Sequence, residues 1–237
     1  METENTPHPA DRTVKVLRLL VVAVCAAMLL IGAGILYAYA STPAVLRHPT
    51  QAHYHFRLQL LVDDHAVNFA ADKFQTDFNK DNCSAALTKE PIHFHDGLDQ
   101  FVHIHWNHLT GGMVLKQYGW NFIGGTGGIL GYRFDQLPKI SAIPIHGHAL
   151  PTVPAGTHYY VYTGDKNGHV LRNWNDFLQQ DLRDFFKGTP VEGGQLAKLN
   201  DVIGSVVIFA QKDPPTSGQI KDRFNHLIHL PKSACAG

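Results

Sequence analysis

The sequence predicts an α+β fold: a β-rich, sandwich- or barrel-like domain with a few helices, preceded by one transmembrane helix. Three observations indicate this class. Segments in which apolar and polar residues alternate, as in half-buried strands, recur between residues 54 and 211. Apolar residues at helical spacing are found later, over 174–186 and 219–230. An uncharged run of 22 residues lies near the N-terminus.

The uncharged run extends from Leu19 to Ala40 and would form a helix of roughly 33 Å, enough to cross a bilayer core. Three basic residues precede it, which predicts a cytoplasmic N-terminus: Arg12, Lys15 and Arg18. A cleaved signal peptide is the alternative, because Ala38-Tyr39-Ala40 before Ser41 fits a cleavage site. The run exceeds the usual apolar region of a signal peptide, which favours an uncleaved anchor. Both alternatives place residues 41–237 outside the cytoplasm.

The predicted organisation is therefore a cytoplasmic N-terminus over 1–18, a transmembrane helix over 19–40, a linker over 41–52 and an extracytoplasmic β-rich domain over 53–237. Such a protein is held in the cell membrane by a single span. The chain has 20 Lys and Arg against 20 Asp and Glu, so we expect no basic surface and no nucleic-acid partner. Outside the membrane, Cys83 and Cys235 either form a disulfide in an oxidising compartment or include a metal ligand.

The elements of the domain are expected in the following order. A strand over 54–62 turns at Asp63-Asp64-His65 into 66–70. Segments 157–163 and 168–172 form a hairpin around turn residues 164–167, and 205–211 is a last apolar strand. Helical spacing predicts one helix over 174–186 that stops near Gly188, and a second helix over 219–230. We expect the helices to cover one side or end of the sheet.

Histidines at i and i+2 are the most informative chemical pattern. The chain has 16 histidines, and random placement would give about one His-x-His pair. It has four, each in a segment that reads as a strand: His53/His55, His93/His95, His103/His105 and His146/His148. Because residues two apart in a strand point to one face, each pair offers two imidazoles for metal chelation.

The segment Pro91–Trp106 allows a register argument. Its apolar side chains must share the buried face: Ile92, Phe94, Val102, Ile104 and Trp106. If the two strands form a hairpin, the four histidines then share the other face. A five-residue loop centred on Asp99 would set His95 opposite His103 and His93 opposite His105. The turn signal Asp96-Gly97 instead favours a two-residue loop that would place the two histidine pairs on opposite faces. We expect burial of the apolar face to outweigh this turn preference.

The candidate metal ligands are His93, His95, His103 and His105. Neutral imidazole suits copper or zinc, whereas the chain offers no carboxylate cage of the kind that calcium and magnesium prefer. Asp96 is a candidate direct ligand or a residue that orients a ligand. The pairs His53/His55 and His146/His148 are weaker candidates. Metal affinity is expected to fall below about pH 6.5, where imidazole protonates.

Three classes of function compete on this pattern, and no catalytic residue is predicted. The first is binding, storage or delivery of a metal ion. The second is a metal-dependent enzyme, which needs an open coordination position within a pocket. The third is an envelope-interaction protein without metal, whose histidines provide a polar sheet face or a response to pH.

Two resemblances bear on these classes. Gly97 followed after five residues by His103-x-His105, together with Pro154 to His158, resembles the two cupin motifs, which implies a metal-dependent enzyme. The acid that completes the cupin ligand set is absent, since Leu109 and Thr110 occupy its place. Residues 54–121, with a His-x-His strand, a lone Cys and His-x-His-Asp before a second histidine strand, resemble an uncharacterised group of exported, single-span bacterial and archaeal proteins. That resemblance implies an anchored β-domain that handles metal or is merely rich in histidine.

Overall fold

The computed structural model describes residues 9–41, 50–76, 91–119 and 150–232. Within these ranges the predicted α+β class is confirmed, because seven strands form one sheet accompanied by six α-helices. The strands are β1 (Gln51–Val62), β2 (His65–Ala66), β3 (Ile92–His93), β4 (Phe101–Trp106), β5 (His158–Asp165), β6 (Gly168–Arg172) and β7 (Val202–Gln211). The helices are α1 (Pro9–Ser41), α2 (Gly111–Tyr118), α3 (Trp174–Gln179), α4 (Leu182–Phe185), α5 (Gln195–Leu199) and α6 (Ser217–Asn225).

The sheet is mixed, with the strand order β3-β4-β1-β7-β5-β6 and β2 paired to the end of β1. β1 and β7 run parallel, while the other neighbouring pairs are antiparallel. Asp63 and Asp64 make the predicted turn into β2 with positive φ angles of 47° and 65°. The predicted β5–β6 hairpin is confirmed, with Asp165 opposite Gly168 across its turn. The central position of β1 places its histidines beside those of β4.

Apolar residues of β1 and β7 cover both faces of the sheet. On one face, Leu60 and Ile208 belong to a core that includes residues of α2, α3 and α4. On the other, Leu61 and Phe209 pack with Phe224 of α6. The sequence interpretation placed the helices on one side or end of the sheet, and this arrangement differs. Consecutive buried residues in central strands require a cover on each face.

The predicted helix over 174–186 is divided into α3 and α4. Between them Gln180 has extended backbone, and the Asp181 side chain caps α4 by accepting from the Arg183 amide at 2.8 Å. The Leu182 amide donates to the Leu109 carbonyl at 2.9 Å, which attaches this break to the segment that follows β4. The last helix, α6, ends at Asn225, earlier than predicted, and begins with a capping box between Thr216 and Gln219.

The N-terminal helix α1 contains a segment, Thr13–Tyr37, that is long and apolar enough to cross a membrane. Its large apolar side chains are exposed in the structure, as expected of a surface that lipid would cover. A signal sequence near an N-terminus has the same length and composition. The structure thus gives a candidate membrane span.

Candidate metal centre

The register between β3 and β4 decides which histidines meet. Ile92 lies opposite Ile104, and His93 lies opposite His103. The predicted register, with His95 opposite His103, is therefore wrong by two residues. A shift of two residues leaves every side chain on its own face. The apolar residues of both strands enter the core, and their histidines lie together on the other face.

The loop between β3 and β4 satisfies the turn signal as well as the core. Asp96 and Gly97 have positive φ angles of 60° and 64°, and the Leu98 amide donates to the His95 carbonyl at 3.1 Å. Gln100, with a φ of 62°, supplies a further left-handed residue before β4. The Asp-Gly turn therefore forms within a longer loop and does not separate the histidine pairs.

Strand β1 adds two histidines that the sequence interpretation ranked as weaker candidates. His55 lies opposite His103 in the β1–β4 pairing, and their rings are 4.3 Å apart between centroids. The His53 ring stacks on the His105 ring, with centroids 5.1 Å apart. The result is a cluster of six imidazoles, hereafter the histidine cluster: His53, His55, His93, His95, His103 and His105.

The histidine cluster is buried. His103 is 0% exposed and its neighbours His55, His93, His95 and His105 are at most 2% exposed, whereas His53 is half-buried. Asn200, after α5, contributes a carbonyl that accepts a hydrogen bond from His55 Nδ1. An apolar group beside His103 includes Phe101 of β4 and Leu230 of the C-terminal segment. The histidine face is thus an internal layer.

Burial keeps these imidazoles neutral. Desolvation, followed by the charge of His53, lowers the pKa of His55 to about 3. Desolvation and the neighbouring imidazoles lower the pKa of His93 to about 2 and that of His105 to about 4. The pKa of His103 also lies well below its usual value, chiefly through burial. If the cluster holds a metal ion, protons would compete with it at a lower pH than the 6.5 expected from the sequence.

Hydrogen-bond partners orient the rings so that bare nitrogens point inward. A carbonyl oxygen can only accept, so the contact with Asn200 requires His55 to carry its proton on Nδ1 and leaves Nε2 bare. His95 Nδ1 lies 2.8 Å from the Asp96 carboxylate, which favours the same tautomer. His55 Nε2 and His95 Nε2 lie 2.9 and 3.1 Å from His103 Nδ1. Carbonyl and carboxylate contacts of this kind typically orient metal-binding histidines.

Two groups of imidazoles have the spacing of metal ligands. In each group one ligand nitrogen per residue lies within 4.8 Å of the others, and His103 belongs to both groups. The groups are His93, His95 and His103, all buried, and His53, His103 and His105. The four predicted residues all lie within these groups. Of the two weaker candidates on β1, His53 joins a group, while His55 lies within hydrogen-bonding distance of the shared His103.

Other residues singled out in the sequence lie apart from this site. His158, from the second cupin-like motif, is exposed at the start of β5, which β1 and β7 separate from β4. His226 is exposed beyond α6 and contacts the Asp222 carbonyl at 2.8 Å. The Cys83–Cys235 pair and His146/His148 lie outside the described residues.

Comparison with known proteins finds no family model that matches the chain. Comparisons with curated proteins and with solved structures likewise find no match. The sequence resemblances to cupins and to exported single-span proteins thus gain no support from these comparisons.

Proposed function

We propose that the protein is a membrane-anchored, extracytoplasmic domain that binds copper or zinc through the histidine cluster. His93, His95 and His103 form the fully buried group of ligands, and His105 belongs to the adjoining group that reaches half-buried His53. One observation carries the proposal: three imidazoles with nitrogens within 4.8 Å of one another are buried and neutral. The lowered pKa of His95 has the same main cause, desolvation.

The unused nitrogens support binding of a cation. Within the described residues, His93 Nδ1, His103 Nε2 and His105 Nε2 are buried and have no hydrogen-bond partner. Buried polar atoms without a partner are costly. Neutral imidazole nitrogens are ligands for both zinc and copper, and the zinc–nitrogen distance is about 2.0–2.1 Å. A bound ion would therefore give a partner to nitrogens that have no hydrogen-bond partner in the fold.

Burial argues against the alternative in which the histidines provide a polar outer face of the sheet. Side chains in that role require access to water. The five buried members of the cluster are 0–2% exposed and so have almost no access to water. A cupin-like enzyme has no support of this kind, since the described part of the sheet separates the strands that carry its two motifs. Binding and delivery of the ion are therefore the proposed role.

The anchor is the second part of the proposal. Thr13–Tyr37 is long and apolar enough to span a bilayer, and Lys15 and Arg18 lie near its N-terminal end. The positive-inside tendency then keeps the N-terminus in the cytoplasm and places the histidine cluster on the outer side. An ion arriving from outside the cell would meet His53 first, since it is the half-buried edge of the cluster.

A matched pair of double variants tests the metal site. The full chain, purified in detergent and stripped of metal, is titrated with Zn(II) or Cu(II). The variant H103A/H105A removes ligands from both groups and should weaken binding by at least about 100-fold. The control variant H226A/H229A alters histidines outside the cluster and should bind as the unmodified protein does. Equal effects of the two double variants, with both folded by circular dichroism, would contradict the metal proposal.

A further inference from the structure

A cleft of about 240 Å³ lies beside the histidine face. Arg57 of β1 lies at the cleft, as do Lys166 and Glu192. Apolar lining comes from Leu196 of α5 and from Phe224 and Leu230 near the C-terminus. A volume below the usual 300–1,000 Å³ of ligand pockets suits a small molecule.

Arg57 is a buried cation without a carboxylate partner among the described residues. Its side chain is 3% exposed. Its Nε donates to Ser205 Oγ at 2.9 Å and its Nη1 to the Ile228 carbonyl at 3.1 Å, and both acceptors are uncharged. Nη2 has no partner in the described part of the chain. Three of the five guanidinium N–H groups are thus unused.

The neighbouring acids are already engaged. Glu192 pairs with Lys166 at the edge of the cleft, where both side chains are at least one third exposed. Asp165 accepts from the amides of Asn167 and Gly168 at 2.8 and 3.2 Å. A buried charge is costly unless it is paired, and these acids leave the charge of Arg57 without a direct partner.

We propose that the cleft binds a small monocarboxylate with a short apolar tail. The carboxylate pairs with the unused N–H groups of Arg57, whose planar fork matches its two oxygens. The tail lies against Leu196, Phe224 and Leu230. The charges of Arg57 and Lys166 are offset by those of Glu192 and the nearby Asp165, and these two acids repel a dianion such as phosphate more strongly than a monoanion. This site does not depend on metal binding at the histidine cluster.

Calorimetric titration of the full chain in detergent tests this site, with butanoate as the probe. The protein is first stripped of metal, so that coordination of the carboxylate to an ion cannot imitate the signal. Butanoate should bind saturably at one site, and butanamide, the uncharged analogue of the same shape, should bind at least 10-fold more weakly. Equal binding of butanamide, or tighter binding of inorganic phosphate, would overturn the proposal.

Two tryptophan variants on α5 locate the site without altering the buried Arg57 side chain. L196W fills the cleft and should reduce butanoate affinity at least 10-fold. L199W adds the same side chain on α5, at a 65%-exposed residue outside the cleft lining, and should leave affinity unchanged. If L196W binds butanoate as well as L199W does, the cleft is not the site. R57K, where folded, should also weaken binding, because an ammonium lacks the planar fork.

Discussion

Acidification should unfold the metal-free protein well before its carboxylates are all protonated. Three buried histidines have pKa values of about 3, 2 and 4 in the folded state: His55, His93 and His105. In the unfolded chain each returns to about 6.5. Because the unfolded state binds more protons, stability is fully present above about pH 6.5 and is lost as the pH falls toward the folded-state values.

The magnitude follows from linkage. At about pH 4.5 each of these histidines lies about two pH units below its unfolded pKa, which corresponds to roughly 3 kcal/mol per histidine. Three such residues together remove roughly 8 kcal/mol, comparable with the whole stability of an ordinary domain. The free energy of unfolding should therefore fall by at least about 4 kcal/mol per pH unit below about pH 6, because His103, whose pKa also lies well below its usual value, adds to this slope.

Urea unfolding of the metal-free full chain in detergent, followed by tryptophan fluorescence at a series of pH values, measures this slope. H93Q removes one titrating group and should reduce the slope by about 1.4 kcal/mol per pH unit. H65Q changes an exposed histidine and should leave the slope unchanged. A stability that stays constant between about pH 7 and pH 5 would refute the claim that these imidazoles are buried and neutral.

Three further predictions concern packing, covalent structure and topology. A Cβ at Gly204 would lie 2.2 Å from Phe186 Cδ1, so G204A should lower the free energy of unfolding by about 1–3 kcal/mol, whereas G168A, with nothing within 4 Å, should be nearly neutral in urea unfolding. Intact mass measured before and after reduction should differ by two hydrogens if Cys83 and Cys235 are bonded; an unchanged mass would exclude the bridge. Protease added to intact cells should digest the domain, and a protected C-terminus would contradict the proposed orientation.

The sequence predicted the shared histidine face because strand alternation is insensitive to register errors of two residues. Requiring Ile92, Phe94 and Ile104 to be buried was sufficient to place His93 and His103 on one side, although their exact pairing was wrong. The same alternation predicted β1 and the β5–β6 hairpin. Local periodicity thus determines the face on which a side chain lies.

The participation of His53 depends on pairing between distant strands, which alternation within one strand cannot show. β1 meets β4 through residues such as His55 and His103, which are far apart in the chain. Asn200, whose carbonyl accepts the hydrogen bond from His55, also belongs to a distant segment of the chain. No sequence pattern in β3 or β4 indicated that the histidine face would be internal rather than exposed.

Helix α2 was missed because its first turn contains Gly111 and Gly112, which are poor helix formers. A Cβ on Gly111 would lie 2.3 Å from the Phe177 ring, so close packing accounts for a small residue there. Thr110, whose side chain accepts from the Met113 amide, was the available signal for the start of the helix. Tertiary packing therefore outweighed local propensity in this segment.

The most direct test of the central claim is X-ray absorption at the metal edge of the zinc- or copper-loaded full chain. Binding by the histidine cluster predicts a first shell of nitrogen, at about 2.0–2.1 Å for zinc, with the outer-shell scattering of imidazole rings from at least three histidines. H103A should remove part of that imidazole signal, because His103 belongs to both ligand groups. A first shell of oxygen without imidazole scattering, or one containing sulfur at about 2.3 Å, would contradict the account.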